Sequence, residues 1–344
     1  MTVSREKMVD RAVAALTGGA IGDAMGMPTQ LLSPQRIAEI YGYVESFVAP
    51  SADHPVSRGL AAGTITDDTE QTLLLGDVLL QSKAGFDHRL WIDALLSWEE
   101  SIRARGGYDL LGPSTKRAID AINAGVPPEQ AGRYGDTNGA AMRIAPAGIM
   151  LPPSSELLQT VAETCRSTHN TSIAIAAAAA VATVVSCGLD GAGWREAIPS
   201  ALEAAKAAES EGAWIAGGRI SARIAWAVSL AEQARTAADI QAMFDLIGTS
   251  VASQESVPAA FAVLALADGN CWKAAVIAAN LGGDTDTIGA IACSMAGACD
   301  GLSSVADDLI AALKGFDPEK ARSLAEALVD RRLALAEGGK VRHG

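Results

Sequence analysis

Aromatic residues are scarce in this sequence: they make up 4% of its 344 residues, although hydrophobic residues make up 49%. The alternation of Val, Ile, Tyr and Phe with polar residues that marks β-strands is rare as well. Alanine dominates long stretches instead, and Ala, Leu and Glu are strong helix formers. A chain of this length buries roughly 75% of the surface that it exposes when unfolded. The sequence therefore predicts an all-α protein with a sizeable core.

Positive charge is also in short supply, because the net charge is −13 and the sequence pI is near 4.8. Such a chain repels nucleic-acid phosphates and anionic membranes, so we expect neither as a partner. Residues 170–189 carry no charge, but this stretch is rich in alanine and lacks flanking aromatic and basic anchors. We interpret it as a central helix buried on all sides rather than as a membrane span.

CxxC pairs and a targeting segment are both missing. The apolar run near the N-terminus is broken by Gly18, Gly19 and Asp23. An odd number of cysteines in alanine-rich helical surroundings predicts reduced, buried thiols in a cytoplasmic protein. The cysteines are Cys165, Cys187, Cys271, Cys293 and Cys299.

No linker separates domains and no internal repeat is visible. The sequence therefore predicts one compact helical domain over residues 1–336 and a frayed tail over residues 337–344. Prolines near helix starts and glycine pairs near helix ends mark the boundaries. The predicted helices span residues 4–22, 34–40, 70–81, 88–103, 114–124, 140–150, 155–167, 170–187, 194–211, 219–235, 237–246, 256–267, 271–281, 287–297, 302–313 and 318–335.

Two acidic clusters each precede an apolar helix, at residues 66–70 (TDDTE) and 282–287 (GGDTDT). Helix capping is one explanation, since Asp67 and Glu70 have capping-box spacing and acids favour the positive end of a helix dipole. A cap needs one side chain per helix, however. Adjacent carboxylates repel one another unless a cation lies between them. The repeated pattern therefore favours metal binding.

The donor atoms in these clusters are oxygens, without His or Cys. Such a set indicates Mg²⁺, Mn²⁺ or Ca²⁺ rather than Zn²⁺. Six oxygen-bearing residues are enough for two cations whose shells are completed by water or substrate. The predicted ligands are Thr66, Asp67, Asp68, Asp284, Asp286 and Thr287.

Four sequence blocks, in this order, resemble the ADP-ribosylglycohydrolase family, which includes the dinitrogenase-reductase-activating glycohydrolases. The blocks are residues 19–26 (GAIGDAMG), 66–69 (TDDT), 138–146 (NGAAMRIAP) and 281–289 (LGGDTDTIG). Weaker matches to the family are Gly106, Gly107 and Asp109, and Thr168 with His169. The resemblance covers nearly the whole chain. It implies an orthogonal bundle of α-helices and a hydrolase that cleaves a ribosyl glycosidic bond.

The resemblance also implies roles for particular residues. The six oxygen donors match the ligands of two Mg²⁺ ions, for which Mn²⁺ is a substitute. The implied catalytic carboxylates are Asp67, Asp68 and Asp284. The implied substrate contacts are Gln30, Gly135, Asn138, Gly139, Met142 and His169. The implied substrate is a ribosyl or ADP-ribosyl compound, ADP-ribosylated proteins included.

These roles are chemically consistent. Two neighbouring cations can chelate the cis-diol of a ribose and orient a water molecule. The glycosidic bond breaks through an oxocarbenium-like state, which needs a fixed sugar and a carboxylate-activated water. Asn138, Gly139 and Ala140 precede a predicted helix, whose first N–H groups are expected to bind an anion.

Several residues allow two interpretations. His169 contacts the substrate or is a satisfied residue entering a buried helix. Arg143 pairs with a ligand phosphate or with a buried aspartate. Asp23 is expected to fix a turn beneath the site. Four tryptophans at helical spacings are expected to be core or rim residues rather than platforms for a base. They are Trp91, Trp98, Trp214 and Trp226.

Gln30 departs from the family, which commonly carries a glutamate here, near the second metal or the attacking water. An amide is a weaker ligand and cannot act as a general base. With few Arg and Lys residues near the blocks, this favours an alternative enzyme, an N-ribosyl hydrolase for a small uncharged ribosyl metabolite. A third alternative is a non-catalytic homologue that binds metal or ADP-ribose, and the intact ligand set argues against it.

Overall fold

The structure, a computed structural model, describes residues 3–82, 85–104 and 112–341. In these ranges three isolated β-bridges occur and no β-strand forms, so the all-α prediction is confirmed. The helices are α1 (Arg5–Gly26), α2 (Pro34–Tyr41), α3 (Asp67–Gln81), α4 (His88–Ala104), α5 (Pro113–Asn123), α6 (Pro128–Ala131), α7 (Gly139–Met142), α8 (Ala145–Met150), α9 (Ser155–His169), α10 (Ser172–Leu189), α11 (Trp194–Ala208), α12 (Ile220–Gln233), α13 (Ala237–Ile247), α14 (Ser253–Leu266), α15 (Cys271–Ala279), α16 (Thr285–Asp300), α17 (Asp307–Ala312) and α18 (Pro318–Val341), with a 3₁₀ turn at Leu302–Ser304.

The helix predicted over residues 140–150 is wrong, because two short helices, α7 and α8, replace it. The break falls at Arg143 and Ile144. Pro146 explains it, since proline lacks the N–H that would continue the helical hydrogen bonds and is tolerated only in a first turn. The region therefore turns sharply beside the site instead of running through it.

Other boundaries differ less. Helix α3 begins at Asp67 rather than at residue 70, so the first acidic cluster lies inside its first turn. Helix α6 is absent from the prediction, and the helix predicted over residues 302–313 is a 3₁₀ turn followed by α17. Helix α18 continues to Val341, into the predicted tail, while residues 342–344 lie outside the described ranges.

Helix α10 is the centre of the fold. All of its 18 residues are buried, and it packs against α8, α9, α11 and α16. By length and composition it could cross a membrane, but it is completely enclosed by the protein, as a core helix is. The predicted burial is confirmed. Its run of alanines lets the neighbouring helices approach closely.

Helices α1 and α16 run antiparallel and meet almost backbone to backbone. On α1, Gly18, Gly22 and Gly26 recur every fourth residue and therefore share one face. A methyl group added at Gly22 would overlap the carbonyl oxygen of Gly289 on α16, and one at Gly26 would overlap the backbone at Thr285. This contact places the beginning of α16 beside the end of α1.

We expect Gly22→Ala to lower the free energy of unfolding by about 2–3 kcal/mol or to prevent folding, because the new methyl group would collide with fixed backbone. Gly19→Ala is the matched control. A methyl group there would lie 3.6 Å from Ser294 Cβ, an ordinary contact. Alanine is also the better helix former by about 1 kcal/mol. Urea unfolding followed by circular dichroism measures both variants, and equal effects would contradict the backbone contact.

Candidate active site

The two acidic clusters come together, although they lie far apart in the sequence. The first forms the N-cap and first turn of α3, and the second forms the N-cap and first turn of α16. A hydrogen bond of 3.3 Å from the Thr287 hydroxyl to Asp68 Oδ2 joins them. The six predicted ligands that the structure assembles in this way are Thr66, Asp67, Asp68, Asp284, Asp286 and Thr287.

Asp23, on α1, holds the start of α3. Its carboxylate accepts hydrogen bonds from the backbone N–H groups of Thr66 at 2.9 Å and Thr69 at 3.2 Å, and from both hydroxyl groups. Burial raises the pKa of Asp23 to about 6, and these hydrogen bonds act in the opposite direction. The structural role predicted for Asp23 is confirmed. The Thr66 hydroxyl donates its proton to Asp23 and accepts a long contact of 3.5 Å from the Asp68 N–H, so one lone pair remains for a cation.

Helix capping does not account for the adjacent aspartates. The N-cap of α3 is Thr66. Glu70 accepts a hydrogen bond of 2.6 Å from Trp98 Nε1 instead of closing a capping box with Asp67. One side chain therefore caps α3, and the two carboxylates of its first turn serve another purpose.

The aspartates of the cluster raise one another's pKa values. Burial is the largest cause for each, and neighbouring carboxylates come next for Asp67, Asp68 and Asp286. The pKa of Asp67 is raised to about 8, and those of Asp68 and Asp286 lie well above the usual range. Burial raises the pKa of Asp284 to about 6, against the hydrogen bond from Asn138. A cluster without a cation therefore retains protons at neutral pH.

Unsatisfied oxygens show that the cluster suits a hard cation. Asp68 Oδ1 and Asp286 Oδ1 are buried without hydrogen-bond partners, which is unfavourable unless a cation binds them. Among the described residues, no three His, Cys, Asp or Glu side chains form a metal-binding group by themselves. A cation held here would therefore need further donors, which the hydroxyls of Thr66 and Thr287 could supply. Carboxylates and hydroxyls are the donors that Mg²⁺ and Mn²⁺ prefer.

A cleft of about 240 Å³ opens above the aspartates. Gly135, a predicted substrate contact, does not line it. A side chain at this position would overlap the carbonyl oxygen of Thr168, so Gly135 packs behind the cleft wall. The predicted substrate contacts that do line the cleft are Gln30, Asn138, Gly139, Met142 and His169.

Asn138 and Gln30 are both anchored by the protein. Asn138 Nδ2 donates to Asp284 Oδ2 and to Ser256 Oγ, so this amide orients one carboxylate of the cluster. Gln30 Nε2 donates to Ser57 Oγ at 3.0 Å. This hydrogen bond holds the carboxamide of Gln30 where the residue lines the cleft.

His169 is held in its uncharged form. Burial is the main cause that moves its pKa well below 6.5, and the positive charge of Arg143 adds to the effect. Nε2 lies 3.1 Å from Thr137 Oγ1, and Nδ1 lies 2.8 Å from Thr168 Oγ1. Both ring nitrogens therefore have protein partners. This favours the interpretation of His169 as a structural residue whose hydrogen bonds are made within the protein, although the residue also lines the cleft.

The buried aspartate predicted as a partner of Arg143 is not found among the described residues. Its guanidinium donates to Gln71 Oε1 at 2.9 Å and to Thr168 Oγ1 at 2.7 Å, and it lies 4.9 Å from the ring of Trp91. Burial lowers its pKa to about 10, so the group stays charged at neutral pH. A buried cation with polar and aromatic partners stiffens the wall behind His169.

The predicted anion site at residues 138–140 is not formed by a long helix. Helix α7 contains only four residues, and the Asn138 N–H donates to Val251 O at 2.9 Å. The dipole of so short a helix is weak. Any contact with phosphate here would depend on single N–H groups.

Leu31, Val56 and Val251 border the cleft and carry no motif, so sequence reasoning missed them. Among the tryptophans, Trp91 is fully buried, whereas Trp214 is largely exposed. Trp98 and Trp226 lie on helices α4 and α12 away from the cleft lining. Asp109, with its preceding glycines, lies outside the described residues.

In architecture the chain resembles a solved structure called ADP-ribosylglycohydrolase-related protein complex. The TM-score is 0.71 at 25% identity, over 95% of this chain and 99% of that one. The fold and the acidic cleft thus define an all-α glycoside hydrolase. Residues 4–339 match the family model described as ADP-ribosylglycohydrolase, so the chain belongs to the ADP-ribosylglycohydrolase family. The resemblance inferred from four sequence blocks is confirmed.

Two curated proteins show how wide the likeness is. The chain is 32% identical to the uncharacterized protein YegU of Escherichia coli (strain K12), over 94% of this chain and 97% of that protein. It is 28% identical to the ADP-ribosylarginine hydrolase Tri1 of Pseudomonas putida (strain GB-1), over 96% of this chain and 81% of that protein. The likeness therefore extends over whole proteins rather than over a shared motif.

We expect the cation-free protein to lose stability as the pH rises from about 6.5 to about 8.5. The folded protein holds protons on Asp67, Asp68 and Asp286 that the unfolded chain has already released, so stability falls as the pH rises from the unfolded pKa of these groups, about 4, through their raised folded pKa values. The pKa values of His54 and His169 are lowered, so these residues make the protein more stable as the pH rises. This effect is confined to pH values below about 6.5, the pKa of a histidine in the unfolded chain.

Melting curves in excess chelator test this, with an expected fall on the order of 5 °C across the range. Saturating Mg²⁺ should weaken the dependence, because the cation takes the place of the protons. Asp286→Asn should make the melting temperature in chelator depend less steeply on pH. A melting temperature that does not change with pH in chelator would contradict the account of the cluster.

Proposed function

We propose that this enzyme hydrolyses a ribosyl glycosidic bond, with ADP-ribosyl groups as its main substrate class, and that it uses two divalent cations. The cluster of buried aspartates at the base of the cleft carries the proposal. Asp68 Oδ1 and Asp286 Oδ1 are buried without partners, and the oxygens around them suit Mg²⁺, with Mn²⁺ as a substitute. The proposed ligands are Thr66, Asp67, Asp68, Asp284, Asp286 and Thr287.

Bound cations would supply electrostatic stabilisation of the sugar hydroxyls and a more acidic water. The residues of the chain account for the rest. Asn138 orients Asp284, and Asp23 fixes the turn that presents Asp67 and Asp68. In hydrolysis the bond from C1′ to the leaving atom breaks and a bond from C1′ to water oxygen forms. One water proton passes to a carboxylate of the Asp67, Asp68 and Asp284 group, and this carboxylate returns the proton, directly or through water, to the leaving atom.

Similarity to a protein named ADP-ribosylarginine hydrolase supports an ADP-ribosyl substrate, including one attached to a protein. The cleft volume of about 240 Å³ suits the ribose and part of what is attached to it. The five buried, unpaired cysteines support a reducing compartment, so we place the enzyme in the cytoplasm. The acidic net charge supports the absence of nucleic acid and anionic membranes among its partners.

A second candidate is an N-ribosyl hydrolase for a small uncharged metabolite. One observation favours it: among the described residues, no Arg or Lys lines the cleft. A pyrophosphate would then rely on backbone N–H groups and on the cations alone, whereas a nucleoside-like substrate needs no such partner. Substrates with and without the pyrophosphate distinguish the two candidates.

The direct test is a hydrolysis screen with Mg²⁺ and with excess chelator. The substrates are ADP-ribosyl-arginine, ADP-ribosyl-serine, ADP-ribose derivatives and ribonucleosides. Release of free aglycone with Mg²⁺, and none in chelator, is the expected result. Bound Mg²⁺ without hydrolysis of any compound would instead indicate a non-catalytic homologue.

We expect Asp286→Asn to lose one cation and to lower kcat/KM by at least about a thousandfold, because the cations and their water supply most of the activation. Asp300→Asn makes the same chemical change on an exposed residue at the end of the same helix and should change neither. Isothermal titration with Mg²⁺ and steady-state kinetics measure the two effects. A variant that binds Mg²⁺ as the unmodified enzyme does would rule out this ligand set.

We expect Gln30→Ala to raise KM more than it lowers kcat, because an amide cannot act as a base. Ser57→Ala frees the Gln30 amide and should have a smaller effect of the same kind. Gln30→Glu adds a negative charge beside four aspartates, so it should either strengthen cation binding or lower the melting temperature without cation. A fall in kcat of more than about a thousandfold in Gln30→Ala, with unchanged substrate binding, would place Gln30 in the chemistry.

A further inference from the structure

Leu31 has an unfavourable backbone conformation at the mouth of the cleft. Its φ of 61° lies in the left-handed region, and Asp268 is the other non-glycine residue in the described ranges with a positive φ. Two backbone hydrogen bonds hold the segment of residues 31 and 32 in place. The Leu31 N–H donates to Gly283 O at 2.7 Å, and the Gly283 N–H donates to Leu32 O at 2.9 Å. Strain that the surrounding structure enforces is concentrated at functional sites.

Burial does not explain this strain. The Leu31 side chain is 52% exposed, so folding gains little by covering it. It lines the cleft that contains the aspartates. Leu31 is therefore available for contact with a molecule that enters the cleft.

Leu31 belongs to an apolar lip with Val56 and Val251, three residues from three loops that line the same cleft. Each is held by hydrogen bonds of its own backbone. The Val56 N–H donates to His54 Nδ1 at 3.2 Å, and Val251 O accepts from the Asn138 N–H at 2.9 Å. The backbone of the lip is therefore held in place.

The charged residues among the described lining of the cleft are four aspartates. Among its described lining residues no Lys, Arg or Glu occurs, and burial keeps His169 uncharged. Gln30 lines the same cleft as the lip, and its carboxamide, which donates to Ser57 Oγ through Nε2, is an uncharged polar group. A carboxamide oxygen accepts a hydrogen bond from the N–H of a neutral ring.

We propose that the apolar lip binds the aglycone of the substrate, and that this aglycone is an uncharged, flat heterocycle. The inference rests on the proposed function, because it places the ribose on the aspartates. A flat ring can pack against Leu31, Val56 and Val251 and donate an N–H to Gln30. A guanidinium would lose its hydration against the lip without gaining a carboxylate of its own. This substrate differs in its aglycone from the one that the name of the Pseudomonas relative gives.

The first arm of the test compares substrates on the Mg²⁺-loaded enzyme. Inosine and uridine carry neutral flat aglycones, and ribosyl-arginine, which like them lacks the ADP group, carries a guanidinium. We expect kcat/KM to be at least about tenfold higher for a neutral aglycone. A preference for the guanidinium substrate would overturn the inference and leave the proposed function standing.

The second arm uses matched leucines. Leu31→Ala should raise KM for the neutral substrate about tenfold with kcat changed less than about twofold, since the lost contact is a binding contact. Leu246→Ala is the control, because Leu246 is 64% exposed on α13 and does not line the cleft. It should leave KM unchanged. Equal KM values for Leu31→Ala and the unmodified enzyme would overturn the inference.

Leu31→Gly separates the strain from the contact. Glycine adopts a positive φ freely, so this variant should keep or raise the melting temperature while it raises KM as Leu31→Ala does. A lower melting temperature together with a raised KM would show that Leu31 serves folding instead. If no glycoside is hydrolysed, the proposed function fails. The inference about the lip is then tested by equilibrium binding of free hypoxanthine to the unmodified enzyme and to Leu31→Ala. If Leu31→Ala binds hypoxanthine as tightly as the unmodified enzyme, the inference is overturned.

Discussion

The backbone contact between α1 and α16 sets the geometry on which the site depends. Gly22 and Gly26 leave no side chain between these helices, so the first turn of α16 lies beside the last turn of α1. Asp23 projects from the same part of α1 and holds the first turn of α3. One glycine-rich helix therefore touches the starts of two acidic helices that lie far apart in the sequence. A looser contact could not keep carboxylates together against their mutual repulsion.

The acidic cluster and the core have opposite effects on stability. The aspartates raise one another's pKa values and include buried oxygens without partners, both of which oppose folding until a cation binds. Helix α10 and the helices around it supply the apolar burial that keeps the chain folded. The N-termini of α3 and α16 reduce the repulsion between the aspartates, since the helix dipoles favour negative charge there. Stability of this kind responds to the ligand, because whatever binds only the folded cluster stabilises it.

Local sequence was enough to predict most helices and both acidic clusters, since alanine-rich periodicity and adjacent carboxylates are visible within a few residues. It failed where the decisive partner is distant in the chain. The partners of Arg143 are a glutamine from α3 and a threonine from α9, and no local pattern reveals them. The φ of Leu31 depends on hydrogen bonds to the loop at Gly283. Pro146 is different, because its position alone could have predicted the break between α7 and α8.

The antiparallel contact of α1 with α16 also affects how the chain is made. Helix α1 is synthesised first, and its partner follows about 260 residues later. At ordinary elongation rates the nascent chain carries the glycine face of α1 uncovered for roughly 15 to 50 seconds. During that interval neither acidic helix start can be positioned by Asp23 and its neighbours. Assembly of the acidic cluster is thus a late event in synthesis, because the carboxylates of α16 can meet those of α3 only after residues 285–300 have been made.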